Sequence, residues 1–421
     1  MSQKYLLSGL AAAIALALSA TPAIAQNIEK LKKFKVSGVD LNIPPVVQEG
    51  KNADAIKENL KRIKMPPGFK IELYAIVPDA RHMAVAPSTN MLFVGTRKTA
   101  VWAVTDRNGD NVADEVKQFA PSLNFTVPNG VCWTPDGFLI VAEHNRVLNF
   151  PAAEFFYEGP DVAVIEVVGD GKLIPKEEES FNHGARTCRV GPDKKLYITM
   201  GQPFNVQPRE KIDLYDKWGI GGIVRMNAFD GTEREVFARG IRNSVGMDFN
   251  PNDGTVWFTD NQTDGLGDDI PPGELNRATE AGQHFGYPWT VGGYRITEND
   301  YDKDPLPEGA VEPQVKMDAH AADLGLDFYE GDQFPAKYHG GVFSAQHGSW
   351  NRTTPIGARI MFTALNEDGT AASTEVFADG WLDPKTKRYI GRPVDVANLP
   401  DGSILVSDDY AGALYRISYE Q

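Results

Sequence analysis

Three histidines stand beside short apolar strand patterns: His183 just ahead of Thr187–Ile198, His144 just after Gly130–Val141, and His320 just ahead of Gly325–Ala345. A neutral imidazole titrates near working pH, so His183 can serve as a proton acceptor or, as a lone histidine more often does, be satisfied within a loop. His144 and His320 are open to two readings, polar groups directed at a ligand or histidines hydrogen-bonded within the fold. The run Asp106–Asp114 spaces its oxygens as a calcium loop does, but Lys117 stands where such a loop places a bidentate Glu. A structural ion and plain turn decoration both remain open there. Cys132 and Cys188, the two cysteines of the chain, occupy equivalent strand positions, as a disulfide or as buried thiols. No Cys-x-x-Cys-His occurs, so the chain carries no covalent haem, and electrons it handles must leave through a separate acceptor.

The elements that position these groups repeat. Six segments place an apolar strand, a turn and a second strand in succession: His82–Phe93, Gly130–Val141, Thr187–Ile198, Gly246–Phe258, Gly325–Ala345 and Val394–Val406. Turn prolines Pro87, Pro135, Pro192, Pro251 and Pro400 mark five of them, and their spacing is that of four-stranded blades with variable loops. One such unit cannot bury its apolar faces alone. The pattern predicts an all-β, six-bladed β-propeller whose inner strands converge on a channel, with the Gly-, Pro- and Asp-rich stretches Gln202–Gly219 and Asp260–Pro313 inserted at its mouth. Lys70–Val77 is expected to supply the outer strand of the last blade and close the ring. Residues 26–66 read as a lead-in strap with a short helix over Ala53–Ile63, ahead of the propeller at 67–421.

Lys4, the apolar run Leu6–Leu18 and the small-x-small site Ala23-Ile24-Ala25 predict a signal peptide cleaved after Ala25, hence a periplasmic or secreted protein with no membrane span. The formal charge is −15, and one unit more negative without Lys4. Such a chain should not bind nucleic acid or anionic lipid by charge, whereas a cationic redox partner suits it.

Four ordered stretches carry a family likeness: Asn182–Thr199, Ala238–Pro251, Phe258–Asn276, and His347–Arg352 with Gly391–Gly402. On these the chain resembles the pyrroloquinoline-quinone-dependent glucose/sorbosone dehydrogenases, soluble propellers that oxidise sugars. The resemblance implies pyrroloquinoline quinone (PQQ) and Ca²⁺ as cofactors, a sugar as substrate and a separate electron acceptor, a cytochrome or a quinone. It makes His183 the catalytic base and sets Arg242 and Asn243 against the quinone, where an arginine stabilises developing negative charge. It implies that Trp350 stacks on the cofactor rings, that Arg352 and Arg392 hold its carboxylates, and that the backbone carbonyls of Gln262 and Thr263 ligate the calcium. Asp264, Asp268 and Asp269 are read as loop solvation, not as ligands.

Two departures from the family pattern stand out. Gln202 replaces an aspartate expected beside the base, so His183 should be less basic or find a carboxylate elsewhere. Val394 replaces a second cofactor-binding arginine. Two other functions share this fold: a calcium-dependent lactonase or related hydrolase, and a propeller that binds glycan or protein without catalysis. The first needs several inward carboxylates around an axial ion. The second has no need of the cations Arg242, Arg352 and Arg392.

Overall fold

The computed structural model describes residues 43–420 except 90, 160 and 161. The expected signal peptide lies outside the described residues. From Ile43 onward the chain forms one compact unit.

Six four-stranded antiparallel sheets follow in chain order. Blade 1 comprises Met83–Val85, Met91–Val94, Val101–Thr105 and Glu115–Phe119; blade 2, Gly130–Trp133, Leu139–Ala142, Val147–Phe150 and Ile165–Val168. Blade 3 runs Cys188–Val190, Lys195–Met200, Gly222–Asn227 and Glu235–Arg239, and the short strand Gln283–His284 adds to its edge in parallel. Blade 4 holds Met247–Phe249, Val256–Asp260, Glu274–Ala278 and Val315–Lys316; blade 5, Asp323–Phe328, Val342–Gln346, Arg359–Leu365 and Ala371–Asp379. Blade 6 takes Pro393–Asn398, Ile404–Asp408 and Ala413–Tyr419 from the end of the chain. Its outer strand is Phe69–Ile76, paired from Phe69 with Tyr419 to Ile76 with Ala413. The ring therefore closes as the sequence predicts, with N-terminal chain covering the last edge.

Strand periodicity explains the packing. Alternate residues of a strand face opposite sides of its sheet. In the second strand of blade 1, Met91 and Phe93 join the apolar layer shared with blade 2, while Leu92 and Val94 join the layer shared with blade 6. Each of the other blade interfaces has its own layer: blades 2 and 3 around Ile198, 3 and 4 around Phe258, 4 and 5 around Trp257, 5 and 6 around Phe343. Every blade is apolar on both faces, which is why the strands read as near-continuous hydrophobic runs. The glycine that opens several repeats has a steric cause. A Cβ on Gly130 would lie 2.8 Å from the Arg186 carbonyl, and one on Gly246 would collide with the Leu324 carbonyl of the next inner strand.

The lead-in does form a strap. Its helix spans Lys51–Leu60, slightly earlier than expected, and buries Ala53, Ile56 and Leu60, at helical spacing, in the layer between blades 5 and 6. Cys132 and Cys188 are joined by a disulfide between the inner strands of blades 2 and 3, which decides between the two readings of that pair. The Asp106–Asp114 loop spends its carboxylates on its own backbone. Asp106 accepts from the N–H groups of Gly109 and Asn111, and Asp114 from those of Arg107 and Asn108. These contacts are turn decoration. Among the described residues no helix is long and apolar enough to cross a membrane.

Candidate active site

In every blade the first strand begins, and the second strand ends, at the same face of the ring. His183, Arg242–Asn243 and His320 precede first strands, while Gly201–Gln202, Gln262 and Trp350 follow second strands. The topology therefore gathers segments of blades 3, 4 and 5 at one mouth. There His183, Arg242, Asn243, Gln262, His320 and Trp350 line a common cavity of about 220 Å³. A larger cleft of about 560 Å³, between the strap and blade 5, contains none of these groups.

His183 adopts a left-handed backbone, φ 54°. Its Nδ1 lies 2.5 Å from the Gln202 carbonyl oxygen. A carbonyl only accepts, so Nδ1 carries the ring proton and Nε2 holds the lone pair, with no protein partner among the described residues. Burial, and after it the Arg242 charge, push the imidazole pKa down to about 4 against the opposing pull of the carbonyl contact. His183 is thus a neutral ring at pH 7, with its basic nitrogen free at the cavity. Gly201 makes the close approach feasible, since a Cβ there would lie 2.5 Å from Asn243 Oδ1 and 2.6 Å from the His183 carbonyl oxygen.

The other two histidines are spent. His144 Nε2 accepts from the Ser180 N–H at 3.2 Å, and the residue does not line the cavity. His320 donates from Nε2 to the Gly267 and Ile270 carbonyls, while its Nδ1 accepts from Asn351. Of the three, only His183 keeps a lone pair for chemistry.

Gln202 acts differently from the sequence expectation. Its carbonyl, not its side chain, holds the His183 ring. The fully buried amide accepts from the Phe204 N–H and donates to the Phe204 carbonyl and to Tyr287 Oη. No carboxylate bonds to His183 among the described residues. Arg186, buried beneath this corner and not singled out by sequence, donates to the His144, His183 and Gly201 carbonyls at 3.1–3.3 Å.

Arg242 is buried and multiply engaged. It reaches the Asn205 and Asn261 carbonyls, Asn205 Oδ1, and Asp264 at 3.3 Å. Its backbone N–H and that of Asn243 donate to the buried Asp260 carboxylate at 2.9 and 2.7 Å. Asp260 faces Glu274 across the blade 4 ladder. Burial raises both carboxyls and the Asp260 charge raises Glu274 further, which favours one proton shared by the pair. Neither residue was anticipated, although Asp260 occupies the same strand-end position as other mouth residues. Asp264 also accepts from Asn351, Asp268 from the Thr353 N–H, and Asp269 pairs with Arg352, so these acids tie the loop to its neighbour.

Arg352 and Arg392 lie outside the cavity lining. Arg352 donates to the Asp268, Ala319 and Thr354 carbonyls, and Arg392 to those of His347 and Gly348 while lying over the Tyr389 ring. Trp350, 78% exposed, stands at the rim.

Does the mouth fit a calcium ion beside an anionic quinone? Gln262 Oε1, Thr263 Oγ1 and Asn243 Oδ1 are buried without a hydrogen-bond partner. No hydrogen bond reaches the Gln262 or Thr263 carbonyl among the described residues. Unused hard oxygens next to Arg242 and an exposed indole suit that pair of groups. Among the described residues no cluster of three or more His, Cys, Asp or Glu side chains could hold a metal. Any ion here would draw mainly on backbone, amide and hydroxyl oxygens, with Asp323 Oδ2 a further buried oxygen of the lining that has no partner.

Comparison with known proteins agrees with the geometry. The chain is 30% identical to an uncharacterized protein of Borreliella burgdorferi over 372 residues, covering 87% of this chain and 93% of that one. It is 25% identical to the aldose sugar dehydrogenase YliI of Escherichia coli over 269 residues, covering 59% and 62%. The PQQ domain of pyranose dehydrogenase from Coprinopsis cinerea shares the fold, with a TM-score of 0.68 at 16% identity, over 90% of this chain and 99% of that one. The sequence model described as "Glucose / Sorbosone dehydrogenase" matches residues 166–416. The chain belongs to the glucose/sorbosone dehydrogenase family.

Proposed function

We propose that this protein is an exported, PQQ- and Ca²⁺-dependent dehydrogenase that oxidises a sugar hydroxyl. The observation that carries the reading is the state of His183, a neutral imidazole with Nδ1 fixed on the Gln202 carbonyl and Nε2 open to the cavity. Such a nitrogen can accept the hydroxyl proton of an alcohol as its carbon is oxidised. PQQ and its calcium ion, when bound, supply a two-electron hydride acceptor. The Gln262 and Thr263 carbonyls would hold the ion, Asn243 and Arg242 would face the quinone oxygens, and Trp350 would cover the rings. Arg242 stabilises negative charge next to it, and its bonds to Asn205, Asn261 and Asp264 hold it in place for that task beforehand. Arg352 and Arg392, expected from the family likeness to hold the cofactor's carboxylates, lie outside the lining and brace the loops at the edge of the mouth, from where they would bear on those carboxylates through their charge alone. Electrons then leave to a separate acceptor.

Export is supported by the leader-like N-terminus and by the Cys132–Cys188 disulfide, a bond that persists in oxidising compartments. The test is turnover of a panel of aldoses and ketoses by protein loaded with PQQ and Ca²⁺, read as bleaching of an artificial electron acceptor. Lactone hydrolysis without acceptor bleaching would replace this reading with the hydrolase one.

A further inference from the structure

Arg97 was not singled out by any motif, yet it lines the same cavity as His183. It follows the second strand of blade 1, Met91–Val94, at the strand-end position that supplies the other mouth residues. Its backbone is fixed by a 2.8 Å hydrogen bond from its N–H to Asp79 Oδ2. Among the described residues its guanidinium makes no hydrogen bond and no ion pair.

Most other charges at the mouth are committed, although Asp323, which accepts from Gln346, keeps one buried carboxylate oxygen without a partner. Arg242 and Asp264 pair with each other, and Asp264 also holds Asn351. Arg81 pairs with Asp409 at 2.6 Å, and Arg352 and Arg392 donate to loop carbonyls. Arg97 is therefore the uncommitted cation of the cavity, close enough to His183 for its charge to bear on that imidazole. In a chain of net charge −15, one unpaired guanidinium lining the same cavity as His183 is a focus for an anion. A planar carboxylate matches its fork of donors.

We propose that the substrate is an anionic sugar of the uronic-acid class, its carboxylate held by Arg97 while a ring hydroxyl meets His183 Nε2. This rests on the sugar-dehydrogenase reading above. Arg97 is a specificity residue. It selects and orients, and the proton goes to His183.

The test is calorimetric titration of the protein with D-glucuronate and D-glucose, which share their ring hydroxyls, for wild type, Arg97→Gln and Arg97→Lys. Wild type should bind glucuronate at least about 10-fold more tightly than glucose. Arg97→Gln should reduce glucuronate affinity about 10- to 100-fold, the range of a charge-assisted hydrogen bond, and Arg97→Lys should restore part of it. The ratio of kcat/KM for the two sugars should follow the same order in loaded enzyme. Equal binding of both sugars by wild type, or an undiminished glucuronate preference in Arg97→Gln, overturns the proposal. So does Arg97→Gln losing affinity for PQQ while keeping the sugar preference, because Arg97 would then serve the cofactor. Arg97-dependent glucuronate binding without oxidation of any sugar would remove the dehydrogenase reading and leave the Arg97 assignment standing. Oxidation of glucose without glucuronate binding would do the reverse.

Discussion

An imidazole with its pKa near 4 has a measurable consequence far from pH 7. If His183 is the base, activity follows the fraction of neutral ring. With the pKa at about 4 that fraction is about 0.91 at pH 5, so kcat/KM should fall by only about a tenth from pH 7 to pH 5. An ordinary histidine of pKa ~6.5 would leave about 3% neutral ring at pH 5, and kcat/KM would fall about 25-fold. The shift is downward because burial and the nearby Arg242 disfavour the cation, so the acidic limb must lie below the usual histidine range. The assay is initial-rate kinetics at subsaturating sugar from pH 4 to 8, with cofactor content and tryptophan fluorescence followed at each pH. His183→Gln should lower kcat/KM by about 10²–10⁴ and remove the limb altogether. A wild-type limb centred near 6.5, with fold and cofactor intact, would refute the buried-base argument. An unchanged rate in His183→Gln would remove His183 from the chemistry.

Gln202→Asp cannot reproduce the amide's bonds to Phe204 and Tyr287, so it should cost about 1–3 kcal/mol in urea denaturation; an acidic limb moved to higher pH would show that the new carboxylate also reaches His183. Cys132→Ser with Cys188→Ser opens a loop with a sequence separation of 56 residues and should lower unfolding free energy by about 2–4 kcal/mol, read by the same denaturation; no change would mean the bond does not form in the folded protein. Asp260→Ala removes the acceptor of the Arg242 and Asn243 N–H groups and should weaken PQQ binding with little change in overall fold by circular dichroism. Buried Asp323 and Asp395 have carboxyls raised to about 7, so their contribution to stability is greatest below pH ~4 and is lost as pH rises through about 7; thermal melts at pH 5 and 8 should show that sign for Asp323→Asn compared with wild type.

The ring was legible because the features that build it are local. Leu92 and Phe93 sit on opposite faces of one strand, both faces are buried, and the resulting unbroken apolar runs between turn prolines can be counted along the chain. Ring closure was readable for the same reason, since Lys70–Val77 is a strand with no partner near it in sequence. The mouth was legible only where a motif marked it, as at His183 and Arg242, which the fold brings to one cavity. Long-range contacts were not. Nothing in the string shows that Gln202 would turn its amide to Tyr287, 85 residues on, and lend only its carbonyl to the base. Nor does it show that Arg352 would brace the Asp268 loop, or that Asp260 and Glu274 would share a ladder rung. Arg97 escaped notice because a lone surface-type arginine after a strand has no pattern. Its position at the strand end was the available signal.

The central claim is that this mouth binds PQQ through a calcium ion and oxidises a sugar with it. The most direct measurement is titration of chelator-treated protein with PQQ, with and without Ca²⁺, followed by addition of sugar under anaerobic conditions. The account predicts saturable binding that requires Ca²⁺, quenching of tryptophan fluorescence, and conversion of the bound quinone to its reduced spectrum when sugar is added, with that reduction slowed in His183→Gln. Tight PQQ binding after exhaustive metal removal, or a folded, Ca²⁺-loaded protein that fails to bind PQQ at all, would contradict it.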